Sequence, residues 1–340
     1  MKKSGLIGFI SIFCCLATQA AVYYVDCNRP DNSGNGLSWA TAKRTIQAAI
    51  DVAANGDKIL VGPGTYNEGT TATPNSPIRS RVVCTKAVDI ESTDGAEATV
   101  ILGERDPDDT SYEGTGANAV RCVYMSAGTL KGFTLTGGAT SSDTADTIHC
   151  KGGGFQGSGT TPVVYDCIVS NNAARRGGGA YRGTFHRTRF IGNYASHNGA
   201  GVRESSLHDC LVAFNHGSGV AYCNSSALYP VNCTIARNTG AGLDNSGGFN
   251  LIVTENGSAK AGTSYLVADS CIQSTPEAGT NNLITTEAYF VDSANGDFRL
   301  FANSPCIDRG NPEWTGAAPA PSERTDLDGH PRLQGAGLDL

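Results

Sequence analysis

The chain has 340 residues and a formal net charge of -7, with 17% charged and 39% hydrophobic residues, enough for one large domain or two ordinary ones. The acidic balance argues against nucleic acid as a partner. With 43 glycines but only 13 prolines, low-complexity disorder is excluded.

Residues 1–20 read as a Sec-type signal peptide. Lys2 and Lys3 form the basic end, Leu6 to Leu16 is an apolar run too short to span a bilayer, and Thr18-Gln19-Ala20 offers small residues before a cut. Phe13 before Cys14 argues against a lipoprotein site. Cleavage after Ala20 takes the charge from -7 to -9, with 23 basic against 32 acidic residues. A secreted or surface-held monomer with no further membrane segment is expected. Ten cysteines then remain, in a compartment that permits disulfides, and no Cys-x-x-Cys pair suggests a zinc or thioredoxin-type site.

Residues 21–57 read as a short strand (Ala21 to Val25), a polar loop and a helix over 41–54, where Ile46, Ala49, Ile50 and Ala53 recur at helical spacing. Such a helix would cover the exposed first rung of a stack. Residues 58–297 carry the stack. It opens on Lys58 to Tyr66 and continues through strands over 81–103. An acidic insertion, 104–118, and a polar one near 139–149 interrupt it. Residues 298–340 differ in composition and are expected to close the far end.

Within 161–256 the sequence repeats. The segments Cys167–Asn172, Thr188–Asn193, Cys210–Asn215 and Cys233–Asn238 share one pattern, with a weaker copy at Leu251–Asn256. The Asn-to-Asn steps are 21, 22, 23 and 18 residues, and a glycine pair follows each of the first four Asn. A period near 22 leaves no room for a helix in each connection, but three short strands and three turns fit. The reading is an all-β, right-handed parallel β-helix of about 22 residues per coil with a short N-terminal capping α-helix. Asn172, Asn193, Asn215, Asn238 and Asn256 are expected to stack inward as a ladder, since an amide can both donate and accept. Cys167, Cys210 and Cys233 share one position and read as an inward stack of buried thiols.

At this point the chain resembles the pectate-lyase-like superfamily of secreted parallel β-helix proteins. The carrying residues are Tyr24-Val25, Gly36 to Trp39, Thr45 to Ile50 and Val61 to Tyr66 at the start. At the end, Ser304 to Gly310 and Asp326 to Arg332 resemble the terminal segment of its choice-of-anchor Q group, whose usual last residues are not reached by Leu340. The resemblance implies a glycan partner. It also implies, for an enzyme of this group, a cation such as Ca²⁺ beside the uronate and a basic side chain to remove a proton.

Asp166, Arg187 and Asp209, in the column before the cysteines, and Arg189 beside them are the candidates for catalysis; a charge-alternating surface ladder is the plainer reading. Arginine is a poor base without strong perturbation. His186 and His208 stack one position further back, facing in or out according to where the strand bends. Arg175, Arg176, Tyr181, Arg203 and Glu204 are candidates for lining a substrate groove, and Tyr66, Tyr112, Tyr124 and Tyr181 for stacking on sugars. Asp106, Asp108 and Asp109, and separately Asp326 and Asp328, are oxygen-bearing candidates for Ca²⁺ without the spacing of a calcium loop. Two functions follow: non-catalytic binding or display on glycans, or a polysaccharide lyase or glycoside hydrolase acting on uronate-containing polymers. The first is preferred because no acid–base cluster is complete.

Overall fold

The computed structural model describes residues 20–109, 114–141, 147–261, 265–276, 278–312, 325, 327–330, 333–334 and 337–338. The 1–20 signal reading therefore lies outside the described residues except for Ala20.

The chain is a right-handed parallel β-helix. Each coil contributes one strand to each of three sheets. In one coil Val163–Tyr165 lies in the first sheet, Ile168–Ser170 in the second and Ala180–Tyr181 in the third. Within the coils, strands pair in parallel with their counterparts one coil on, as Val164 with Phe185 and Val169 with Phe190. The antiparallel pairs among the described residues are the hairpin Thr71–Ala72 with Arg79–Cys84, a single bridge between Glu104 and Val120, and two near the C-terminus.

The inward columns form one continuous core running from Val25 and Ile59 to Ile272. Phe155, Phe185 and Phe190 interlock at centroid distances of 5.3 and 5.1 Å. Helix α1 (Ile46–Val52) closes the first coil with Ile46, Ala49 and Ile50, and the Thr45 hydroxyl caps it by accepting from the Ala48 N–H. It is shorter than the 41–54 expected from spacing, because Trp39–Thr41 forms a separate 3₁₀ turn. Val22–Val25 pairs with Lys58–Val61, so the first sheet crosses the 57/58 boundary.

The corners explain the columns. Asp166, Arg187, Asp209, Asn232, Asn250 and Asp269, between the first and second sheets, all take left-handed φ of 44–57°. Asn171, Gly192, Phe214, Arg237 and Glu255 do so at the second corner, and Arg182, Glu204, Tyr222 and Asn245 at the third. One left-handed residue per corner swings the chain through the bend and turns the next side chain inward. Cys167, Cys210 and Cys233 follow the first corner and are buried.

The five asparagines follow the second corner. The Asn172, Asn193, Asn215 and Asn238 amides each donate to the Oδ1 of the next Asn at 2.8–3.1 Å. Each of those Oδ1 atoms also accepts the backbone N–H of the Asn before it. The same amides donate back to the carbonyls of Leu135, Val169, Phe190 and Val212. Gln273 ends the ladder, its Oε1 accepting the Asn256 N–H at 3.0 Å.

The C-terminal segment packs against the side of the stack. Phe290, Phe298, Leu300 and Cys306 pack with Ala236, Ile252 and Cys271, which lie on the outer face of the second sheet. Phe298 meets Phe214 at 5.6 Å, and the Asn250 side chain exchanges two 2.9 Å hydrogen bonds with the Asn311 backbone. Thr325, Leu327 and Gly329 stand beside Ile168 and Arg189 several coils back. The described residues of the tail thus lie on the outside of the second sheet at two places.

Candidate functional site

Two groups of candidate residues come together, and they differ in character. The first lies at the corner between the first and second sheets. Arg187 donates to both carboxylate oxygens of Asp166, at 2.7 and 3.1 Å. Asp209, one coil further, is buried, attracts Arg187, and accepts from the Asn232 amide at 3.1 Å. Asn250 continues the column by donating to Asn232 at 2.9 Å. These residues sit at left-handed bends rather than on a strand, because strand parity does not carry across a corner. Arg189 does lie on a strand and reaches Glu97 at 3.7 Å. With Thr325, Leu327 and Gly329 this corner borders a cleft of about 230 Å³.

The chemistry of this corner is that of an ion-pair ladder. The hydrogen bond and charge of Asp166 hold the Arg187 guanidinium above its ordinary pKa, which moves it away from acting as a base. Arg187→Ala or Asp166→Ala should change stability by no more than about 1 kcal/mol, because the pair is about one-third exposed and screened by solvent. A double-mutant cycle in urea checks this; a coupling of several kcal/mol would mean that the pair acts as a buried one. Val164, Phe185 and Leu207 face the core, so Tyr165, His186 and His208 face outward. Their rings stack at 4.9 and 4.8 Å.

Of the candidate calcium residues, Asp106 and Asp108 are already committed within their own loop. Asp106 accepts from the Asn118 N–H at 2.9 Å and the Asp108 N–H at 3.0 Å, and Asp108 accepts from the Asn118 amide at 3.0 Å. These carboxylates stitch their own loop together. Asp109 is on the same turn, Asp328 is exposed, and Asp326 and Tyr112 lie outside the described residues. Among the described residues no group of three or more His, Cys, Asp or Glu is placed to hold a metal ion.

The second group lies on the third sheet. Gln156, Tyr181 and Arg203 are register neighbours on its outer face. Beside them runs a flange, a two-stranded sheet of Ala173–Arg176 and Tyr194–Asn198, to which Lys151 is bridged through Arg176. The flange exists because each chain leaves the Asn ladder, runs outward, and returns through a glycine turn at Gly177 or Gly199, both with left-handed φ.

Cations converge between flange and sheet. The Lys151 ammonium stands 4.9 Å from the Tyr181 ring centroid and the Arg182 guanidinium 5.0 Å from it. Arg203 lies 3.9 Å over the Tyr222 ring and donates to the side-chain Oδ1 of Asn198. Burial lowers the His197 pKa, and the charges of Arg176, Arg175 and Arg203 lower it further. The nearest acid is Glu204. Burial would raise its pKa, but the Tyr181 hydroxyl, at 2.8 Å, and the charges of Arg203 and Arg182 outweigh burial and hold it below its ordinary value. Arg121, fully buried, fixes the edge of the cluster by donating to the carbonyls of Lys151 and Gly152 at 2.9 and 2.7 Å. Arg175 Nη1 and Gln156 Oε1 are buried atoms without a hydrogen-bond partner.

The structure therefore gathers Arg175, Arg176, Tyr181, Arg203 and Glu204, and adds Lys151, Arg182 and His197, which the sequence reading had not singled out. Lys151 precedes Arg176 by 25 residues, close to one coil, which was the available signal. The tyrosines are not exposed sugar platforms. Tyr66, Tyr124 and Tyr181 are only 4–6% exposed, and Tyr181 is a base plate beneath the cations.

No protein-family model matches the sequence, and no curated protein matches it. The chain is similar to several solved structures. One is the pectate lyase Pel9A, at 16% identity over 89% of this chain and 96% of that one, with a TM-score of 0.48. Another is a rhamnogalacturonan lyase, at 14% identity over 74% and 68% of the two chains, TM-score 0.44. A third is the pectin methylesterase PemA from Erwinia chrysanthemi, at 12% identity over 84% and 94%, TM-score 0.37. The fold itself rests on the strand pairing described above.

Proposed function

We propose that this protein binds acidic polysaccharide on the flank of its third sheet and does not catalyse a reaction on it. The observation that carries this reading is the charge of that flank. Among the described residues, Arg182 and Arg203 act on the Glu204 carboxylate, Lys151 stands by Tyr181, and Arg175 and Arg176 act on His197, in a chain whose net charge is -7. A local excess of cations on an acidic protein attracts anions to that place and repels them elsewhere. Arginines held by rings and hydrogen bonds are suited to carboxylate or sulfate groups. The corner of Asp166, Arg187, Arg189 and Asp209 supports the non-catalytic reading, since its arginines are already paired with carboxylates. Export by the 1–20 segment and display at the cell surface belong to the same proposal. Among the described residues no helix is long and apolar enough to cross a membrane.

The test is titration with polygalacturonate, dextran sulfate and neutral dextran. Both acidic polymers should bind at low salt and weaken as salt rises, and neutral dextran should not bind. Arg175→Ala/Arg176→Ala should lose about tenfold in affinity, or about 1.4 kcal/mol, while Arg187→Ala should bind as the parent does. Equal binding of neutral dextran would overturn the proposal. So would the absorbance of an unsaturated product released from polygalacturonate, which would establish the lyase reading.

A further inference from the structure

The C-terminal segment brings one cysteine against another on the stack. Cys271 lies on the strand Cys271–Ile272 of the second sheet. Its neighbour Ile272 faces the core, so Cys271 points to the outer face, in register with Ile252 and Leu283. Cys306 comes from the segment that packs on that face. Both are fully buried, and they share one small cluster with Ala236, Ile252, Ala288 and Phe290. We propose that Cys271 and Cys306 form a disulfide that staples the C-terminal segment to the outside of the β-helix.

The two thiols share that cluster closely enough for each to act on the titration of the other. The nearby Cys271 thiol, with help from Ser304 and Arg309, lowers the Cys306 pKa, while the Cys306 thiol and burial raise that of Cys271. Cys306 is thus the attacking thiolate. With a small-molecule disulfide such as glutathione disulfide as oxidant, Cys306 sulfur bonds to one glutathione sulfur and the other glutathione leaves as thiol. Cys271 sulfur then displaces the first glutathione. Two electrons pass to the oxidant, and the two cysteine protons end on the released thiols.

Cys210 and Cys233 also act on one another, but inside the stack rather than between it and the C-terminal segment. Each sulfur already donates to a carbonyl two residues back, at 3.2 Å. Cys167 accepts the Phe133 N–H at 3.3 Å, and burial pushes its thiol up to about 12. They are interior packing, as the repeat position requires.

The experiment refolds the full chain in a mixture of reduced and oxidised glutathione, blocks free thiols, digests without reductant and maps the peptides by mass. The expected result is one linked pair, Cys271 with Cys306, with the core cysteines blocked as free thiols. Recovery of both Cys271 and Cys306 as blocked thiols would overturn the proposal, as would either of them joined to a different cysteine. A second reading uses Cys306→Ser. Oxidation should raise the Tm of the parent by about 5 °C over the reduced protein and leave the variant unmoved; an equal rise in both would also overturn it.

Discussion

Replacing Asn215 by alanine should destabilise the protein by about 3–5 kcal/mol, because four hydrogen bonds to its side chain vanish inside a dry column. Its Oδ1 accepts the Asn193 backbone N–H at 2.9 Å and the Asn193 amide at 3.0 Å. Its own amide donates to the Phe190 carbonyl at 3.0 Å and to Asn238 Oδ1 at 2.8 Å. Asn193 keeps its bond to Val169 through the amide, but its backbone N–H loses its acceptor. Asn215→Asp should not restore stability. A carboxylate supplies the acceptor, but it lacks the amide donor and would face the Asn238 carbonyl oxygen across the rung. Denaturant midpoints for the parent and both variants measure this. A loss below about 1 kcal/mol for the alanine variant would show that water replaces the amide.

Gly179→Ala is the second large effect, with an expected loss of about 2–3 kcal/mol from overpacking. A Cβ there would lie 2.5 Å from the Gly201 carbonyl oxygen and 2.9 Å from the Asn193 amide nitrogen. Both neighbours belong to the ladder and the adjoining coil, so neither can rotate away. The same contact recurs along the stack. A Cβ on Gly154 would meet the Asn172 amide at 2.6 Å, and one on Gly219 or Gly242 would meet that of Asn238 or Asn256 at 2.8 Å. The control is Gly159→Ala, where a Cβ would meet nothing within 4 Å; it should stay within about 0.5 kcal/mol of the parent. Equal losses at both positions would sink the explanation from ladder contact.

These two predictions show why the repeat could be read from the chain. An Asn that must bond its counterpart and a Gly that must admit that Asn's amide are both required once per coil, so both leave a period. The capping helix was legible for a similar reason, since Ile46, Ala49 and Ile50 must share one buried face. The corners were less so. Arg182, Glu204 and Tyr222 take the same left-handed conformation, and no shared chemistry among them marks it. A residue held there by strand pairing on both sides need not be Asn or Gly, so the corner column carries varied side chains.

The cationic flank was half legible. Arg175, Arg176, Arg203 and Glu204 stood out as charges near a turn, but Tyr181 looked like an exposed ring until Lys151 and Arg182 were seen beside it. The path of the C-terminal segment left still less trace, because an apolar residue on an outer face has the same identity whether it awaits a cover or not. By itself, then, the sequence determined the coil, its period, its ladder and its N-terminal lid, all of which repeat or follow local spacing. Only the tertiary structure decided which charges meet, which tyrosines are covered and where the tail lies. Those depend on contacts between residues far apart in the chain, set by the stacking of coils and by the matching of one apolar face to another.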